Sequence, residues 1–145
     1  MSSLRHVAPG LYADGQTSQE DLAQLAAQGV RTVINLRAAS EPVEYDEAAA
    51  AARLGMRYVS LPVAGPDDLT PETIARFSHE LGDGEAIGGV LVHCASANRA
   101  GALIALDQAL TRGASHTHAL AMGRAAGLAA LEPQVQALLQ QHAPE

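Results

Sequence analysis

The chain has 145 residues, 48% hydrophobic and 17% charged, the balance of one folded domain spanning residues 1–145 rather than of a disordered or fibrous protein. A net charge of −7 without any basic run excludes a long nucleic acid as partner, because no Lys/Arg stripe exists to neutralise its phosphates. No stretch approaches the about 20 apolar residues that span a bilayer, and the lone Cys94 excludes a disulfide framework, so no membrane partner and a cytoplasmic location are expected.

In chain order, "GLYAD" (residues 10–14) reads as a short edge strand. "TSQEDLAQLAAQG" follows as a helix, with Thr17 three residues before Glu20 at capping-box spacing and Gly29 closing it. "TVINL" (Thr32 to Leu36) is a β-branched, buried strand, and an Ala-rich helix runs from about Pro42 to Gly55. "RYVSL" (Arg57 to Leu61) is the next strand, and "TPETIARFSHELG" places Thr70 at a cap and Pro71 at the first helical position. "GVLVH" (Gly89 to His93) is the third strong strand. A helix from Asn98 to Arg112 stops at Gly113, and two more lie near Ser115 to Ala126 and Glu132 to His142. Strands separated by helices of crossover length predict an α/β domain with a four- or five-stranded, mostly parallel sheet, helices on both faces and right-handed crossovers.

In such sheets ligands gather beyond the carboxyl ends of the strands, and "VLVH" delivers Cys94 to that edge as a helix begins. A helix N-terminus supplies free N–H groups and partial positive charge, which bind an oxyanion and favour thiolate over thiol. Arg99, at the same helix start, adds a planar fork of donors for two oxygens of one phosphate-like group. The competing reading, an inert cysteine packed as a small hydrophobe, is outweighed by the combination of strand end, small-residue loop, helix start and arginine. His93 reads as structural, its ring tied to a backbone carbonyl. His116 and His118, two apart on a helix, point to different sides and form no metal site. Arg37, at the end of "VINLR", reads first as an ion-pair partner of Glu41 or Glu44 and second as an aid to an acidic substrate.

At these residues "VLVHCASANRAGAL" resembles the signature loop of cysteine-dependent phosphatases of the dual-specificity and tyrosine type. More closely, the chain resembles the bacterial phosphatase-like domain of beta-lactamase-hydrolase-like proteins. Counterparts of "GLYADGQTSQEDLAQLAAQGVRTVINLR", "YVSLPVAG", "DLTPETIARF" and "GRAAGLAALEPQVQALL" run nearly end to end. The resemblance implies a phosphotyrosine-phosphatase-like fold and hydrolysis of phosphate monoesters, protein phosphotyrosine among them, through a cysteinyl-phosphate. Cys94 matches the nucleophile, and Arg99 the arginine that binds the phosphate. The amides of Ala95, Ser96, Ala97, Asn98 and Arg99 match the phosphate cradle. The general acid is expected from "PVAGPDDLT", where Asp67 and Asp68 are the candidates and Asp68 is preferred. No metal or organic cofactor is implied, and the substrate is a phosphorylated small molecule or protein.

Three departures from the pattern point to slow turnover. The loop of four residues between Cys94 and Arg99 is shorter than that of most dual-specificity enzymes, Ala97 stands where glycine is common, and Ala100 replaces the hydroxyl residue that usually follows the arginine. Two rival readings follow. One is a rhodanese-like sulfurtransferase, whose cysteine loop has about this length. The other is an anion-binding module of the same fold that is catalytically weak or inactive.

Overall fold

The structure is a computed structural model, and the residues it describes are 4–38, 40–41 and 43–142. Five strands form one sheet in the order β1-β2-β5-β3-β4, with β1 (Arg5–Ala8), β2 (Leu11–Asp14), β3 (Val30–Asn35), β4 (Arg57–Ser60) and β5 (Gly89–His93). All neighbours are parallel except β1 and β2, which form an antiparallel hairpin. The mostly parallel α/β sheet is the expected one. "GLYAD" is not at its edge, however, because the preceding segment, too polar to signal a strand, pairs with β2 and takes the edge itself.

Helices α1 (Gln19–Ala27) and α2 (Glu47–Arg53) cover one face, while α3 (Pro71–Glu85), α4 (Asn98–Leu106), α5 (His116–Ala126) and α6 (Glu132–His142) lie with the other. On the first face Leu22, Leu25, Ala50 and Ala51 pack on Val33 and Leu91. On the second, Phe77, Leu81, Leu103, Leu106, Val135 and Leu139 enclose Ile34, Val90 and Val92. Burial on both faces explains why the inner strands β3 and β5 are largely apolar, whereas the edge strands β1 and β4 keep polar and exposed positions. Each large side chain so buried stabilises the fold by about 1.5–3 kcal/mol.

Helix starts follow side-chain chemistry. Thr70 accepts from the N–H of Thr73, with Pro71 at the first position, as expected. For α1 the cap is Ser18, which accepts from Asp21 N–H; Thr17 instead donates to Asp14 Oδ2 at 2.8 Å and belongs to the end of β2. The second helix is shorter than its sequence pattern, because Asp46 caps it and the chain before it runs as a loop; Pro42, where the pattern opened, lies outside the described residues. After Leu106, α4 widens into a π-helical turn, Asp107–Thr111, closed by a hydrogen bond from Arg112 N–H to Asp107 O. Where α4 crosses α5, a Cβ on Gly101 would lie 2.3 Å from Leu128 N and 2.6 Å from Gly123 O, so the helices meet backbone to backbone.

Candidate active site

Cys94 is the first residue beyond β5, the sheet's central strand. Its N–H donates to Asp14 O at 3.3 Å, and the preceding carbonyl, His93 O, accepts from Leu36 N–H at 2.9 Å. The chain's exit from the sheet is therefore tied to both neighbouring strands. The thiol is fully buried, on the face shared with Val90 and Val92.

Loop Cys94–Arg99 then leads into α4, and its start differs from those of α1, α2, α3 and α5. Side chains cap α1, α2, α3 and α5, whereas α4 begins at Ala97, which has no side-chain donor or acceptor to offer. Among the described residues, none of the backbone N–H groups of Ala95, Ser96, Ala97, Asn98 and Arg99 has a protein acceptor. Uncapped N–H groups at a helix start are suited to an anion. Ala97 has φ +71°, in the left-handed region, where a Cβ costs of order 1 kcal/mol. The loop thus accepts strain at the position where glycine is common. Space around Ala97 is tight: a Cβ on Gly127, itself at φ +120°, would lie 2.5 Å from Ala97 Cβ and 2.9 Å from Ala97 O.

The Arg99 guanidinium's pKa is held above its ordinary value chiefly by the hydrogen bond to Glu41, against burial, with Cys94 adding a smaller effect in the same direction. Glu41 takes the guanidinium in a fork, with Nη1 donating to Oε2 at 2.6 Å and Nη2 to Oε1 at 2.7 Å, and Nη1 also donates to Val63 O at 2.7 Å. The hydrogen bond from Arg99 holds the Glu41 carboxyl below the usual range, against a smaller opposing effect of burial. Arg37 was expected to pair with Glu41 or Glu44; its charge reaches Glu41, as the smallest of the influences that lower that carboxyl's pKa, but it makes no ion pair with either among the described residues. Arg37 instead donates through Nε to Asn35 Oδ1 at 3.2 Å and lies 3.7 Å from Glu47 Oε1, turned to the opposite face of the sheet. Glu41 and Arg99 are 58 residues apart, and no local spacing announces the pair.

A cavity of about 480 Å³ opens in front of Arg99, walled by Ala38, Ser40, Glu41, Ala64, Gly65, Pro66, Asn98 and Leu131. Asp67 and Asp68 follow Pro66 in a 3-10 turn on its rim, Asp67 exposed and Asp68 half-buried. Asp68 Oδ2 accepts from Ala64 N–H at 2.8 Å, which fixes the turn and directs that oxygen at its own loop; neither aspartate lines the cavity. Asn98 contributes its amide to the loop and turns its side chain away, Oδ1 accepting from Ala129 N–H and Leu131 N–H. His93, expected to meet a backbone carbonyl, meets a carboxylate: Nε2 lies 2.6 Å from Glu47 Oε1, both side chains buried.

No helix among the described residues is long and apolar enough to cross a membrane. The fold recurs in solved structures. A DUF442 protein from Shewanella putrefaciens CN-32 superposes with TM-score 0.75 at 27% identity, over 99% of this chain and 90% of that one. TpbA of P. aeruginosa, solved in complex with pTyr, gives TM-score 0.73 at 22% identity over 93% and 81% of the two chains. In sequence, 127 residues are 34% identical to the beta-lactamase hydrolase-like protein of Xylella fastidiosa, covering 79% of this chain and 29% of that protein. The counterpart in Agrobacterium fabrum is 36% identical over 100 residues, 66% of this chain and 22% of its own length. The chain therefore spans less than a third of the curated relatives it matches. Residues 3–111 match the family described as beta-lactamase hydrolase-like protein, phosphatase-like domain, and the chain belongs to that family.

Proposed function

We propose that the protein is a cysteine-dependent phosphatase acting on phosphate monoesters. The observation that carries this reading is the uncapped start of α4, where five unpaired N–H groups and the Arg99 guanidinium are gathered at the loop that begins with the only cysteine. Membership in a phosphatase-like family and a fold shared with TpbA support it. In the proposed reaction the Cys94 thiolate attacks phosphorus and the bond to the ester oxygen breaks. Arg99 and the amides of Ala95–Arg99 balance charge on the transferring oxygens. Asp68, through the oxygen not engaged by Ala64, gives its proton to the departing alkoxide or phenoxide. The cysteinyl-phosphate is then hydrolysed by a water that returns a proton to Asp68, releasing inorganic phosphate and restoring the thiolate.

Among the described residues the cavity wall has no aromatic side chain and no cation besides Arg99, which favours small monoesters over polyphosphorylated ones. The complex of TpbA with pTyr makes aryl phosphates the first substrates to try. A cytoplasmic, reducing location would keep the lone thiol active.

The experiment is hydrolysis of p-nitrophenyl phosphate with inorganic phosphate as competitor. Wild type turns over, Cys94→Ser abolishes turnover while keeping phosphate binding, and Arg99→Ala loses both. Asp68→Asn slows poor leaving groups more than nitrophenolate; the same effect from Asp67→Asn would move the acid by one residue. A second reading, sulfur transfer, is favoured by the short loop of four residues between Cys94 and Arg99. Formation of a persulfide from thiosulfate and its transfer to cyanide, without ester hydrolysis, selects that reading.

A further inference from the structure

The nucleophile loop has a support on the far face of the sheet. Strand alternation turns Cys94 toward the α3–α6 side and His93 toward α1 and α2, where its ring meets the first residue of α2. Glu47 Oε1 lies 2.6 Å from His93 Nε2 and 3.7 Å from Arg37 Nη2, and the three side chains are 4% exposed or less. Beside the Arg37 guanidinium the carboxylate accepts only, so the His93 proton resides on Nε2. Among the described residues His93 Nδ1 is buried without a hydrogen-bond partner, which leaves Glu47 as the group that orients the ring. Asn35 accepts from both the backbone N–H and Nε of Arg37, and donates to Tyr58 Oη at 2.8 Å, so the arginine is itself fixed.

Burying this charged cluster is a poor way to gain stability. Apolar residues of the same size are often as good or better, whereas buried ionic groups beside a reactive residue are a recurrent feature of functional sites. Its placement is informative: the ring belongs to the residue directly before Cys94, whose carbonyl and following N–H are already held by β3 and β2. Fixing the ring removes the remaining freedom of the chain as it leaves the sheet.

We propose that Glu47 is a positioning residue of the active site: its carboxylate, acting through the His93 ring across the sheet, holds Cys94 in register with the loop and Arg99. The inference rests on Cys94 being the nucleophile. Glu47→Ala, measured with p-nitrophenyl phosphate, is expected to lower kcat on the order of 100-fold, the cost of a small misplacement of a reacting group, with KM within about threefold. Glu47→Gln keeps an oxygen able to accept from Nε2 and restores kcat to within about threefold of wild type. Long-range ¹H–¹⁵N spectra of ring-labelled histidine, assigned with His93→Gln, are expected to show the Nε2-protonated form in wild type and Glu47→Gln.

Wild-type kcat in Glu47→Ala, or a loss in Glu47→Gln as deep as in the alanine variant, overturns the proposal. So does an Nδ1-protonated His93 ring in wild type. If Glu47→Ala fails to fold, Glu47→Gln and the spectra decide. If wild type hydrolyses no ester, the phosphatase reading fails, and the positioning role is then judged by iodoacetate alkylation of Cys94. That alkylation slows at least about tenfold in Glu47→Ala, and not in Glu47→Gln, when the thiol is held for reaction; equal rates in all three proteins overturn it.

Discussion

Glu41 is the side chain that most directly controls what Arg99 can offer. It occupies Nη1 and Nη2, while Ala38 N–H donates to its Oε2 at 2.6 Å, so the carboxylate is anchored from two sides. Its pKa lies below the ordinary 4.5, chiefly through the Arg99 hydrogen bond. A group depressed on folding contributes stability that is fully present above its unfolded value and is lost as pH falls through the folded one. Glu41→Gln should therefore destabilise the protein by about 1 kcal/mol near pH 7, the scale of a partly solvated pair. The difference from wild type should shrink below pH 4.5. Urea unfolding near neutrality and at about pH 3.5 checks this, and a gap of constant size at both would remove the pair as its source. Ala97 carries a second local cost, since its left-handed backbone is set by the loop and not by the residue's preference. A Cβ on Gly127 would meet Ala97 Cβ at 2.5 Å, so Gly127→Ala is expected to lose more than about 2 kcal/mol in thermal unfolding and to weaken phosphate binding together. Loss of stability with unchanged phosphate affinity would show that the loop tolerates the push.

Among the elements, the contact of α4 with α5 sets the angle at which the loop's unpaired N–H groups are presented. Gly101→Ala would place a methyl group 2.3 Å from a backbone nitrogen that has no means of moving aside alone. The expected result is loss of about 3 kcal/mol or more, read from urea unfolding; a change under about 1 kcal/mol would mean that the helices slide apart readily. The sequence announced β3 and β5 because β-branched residues buried on both faces leave a largely apolar run, and the edge strand β4 through Tyr58 and Val59 although only Val59 is buried; it announced the Thr70 start because cap and proline act locally. Cys94, the loop and Arg99 were legible for the same reason: strand, loop and helix start are contiguous. β1 was not, because "RHVA" has two exposed residues and owes its strand state to pairing with β2. Glu41 and Glu47 also escaped, since their partners Arg99 and His93 lie 58 and 46 residues away. The choice of Ser18 over Thr17 as cap was settled by Asp14, which takes the Thr17 hydroxyl.

At the scale of the whole molecule, charge is arranged against the anion the site is proposed to bind. All nine basic residues are arginines, and the net charge is −7. Arg37, Arg57, Arg99, Arg112 and Arg124 each lie against at least one carboxylate, which leaves little positive field to reach into solvent. A dianionic ester therefore approaches against long-range repulsion and is held only at close quarters, by Arg99 and the loop amides. These two parts respond differently to salt. At about 0.01 M ionic strength the screening length is about 30 Å and the whole molecule is felt; at about 0.15 M it is about 8 Å, and only the site remains. Contacts within a partly buried site are screened much less. The value of kcat/KM for p-nitrophenyl phosphate is therefore expected to rise about two- to threefold as sodium chloride is raised across that range, with kcat unchanged. An enzyme that draws its substrate in with a basic surface behaves oppositely. A fall in kcat/KM across the same range would mean that Arg99 and the exposed arginines act as a steering field, and that the acidic balance of the chain is borne by surfaces the substrate never approaches.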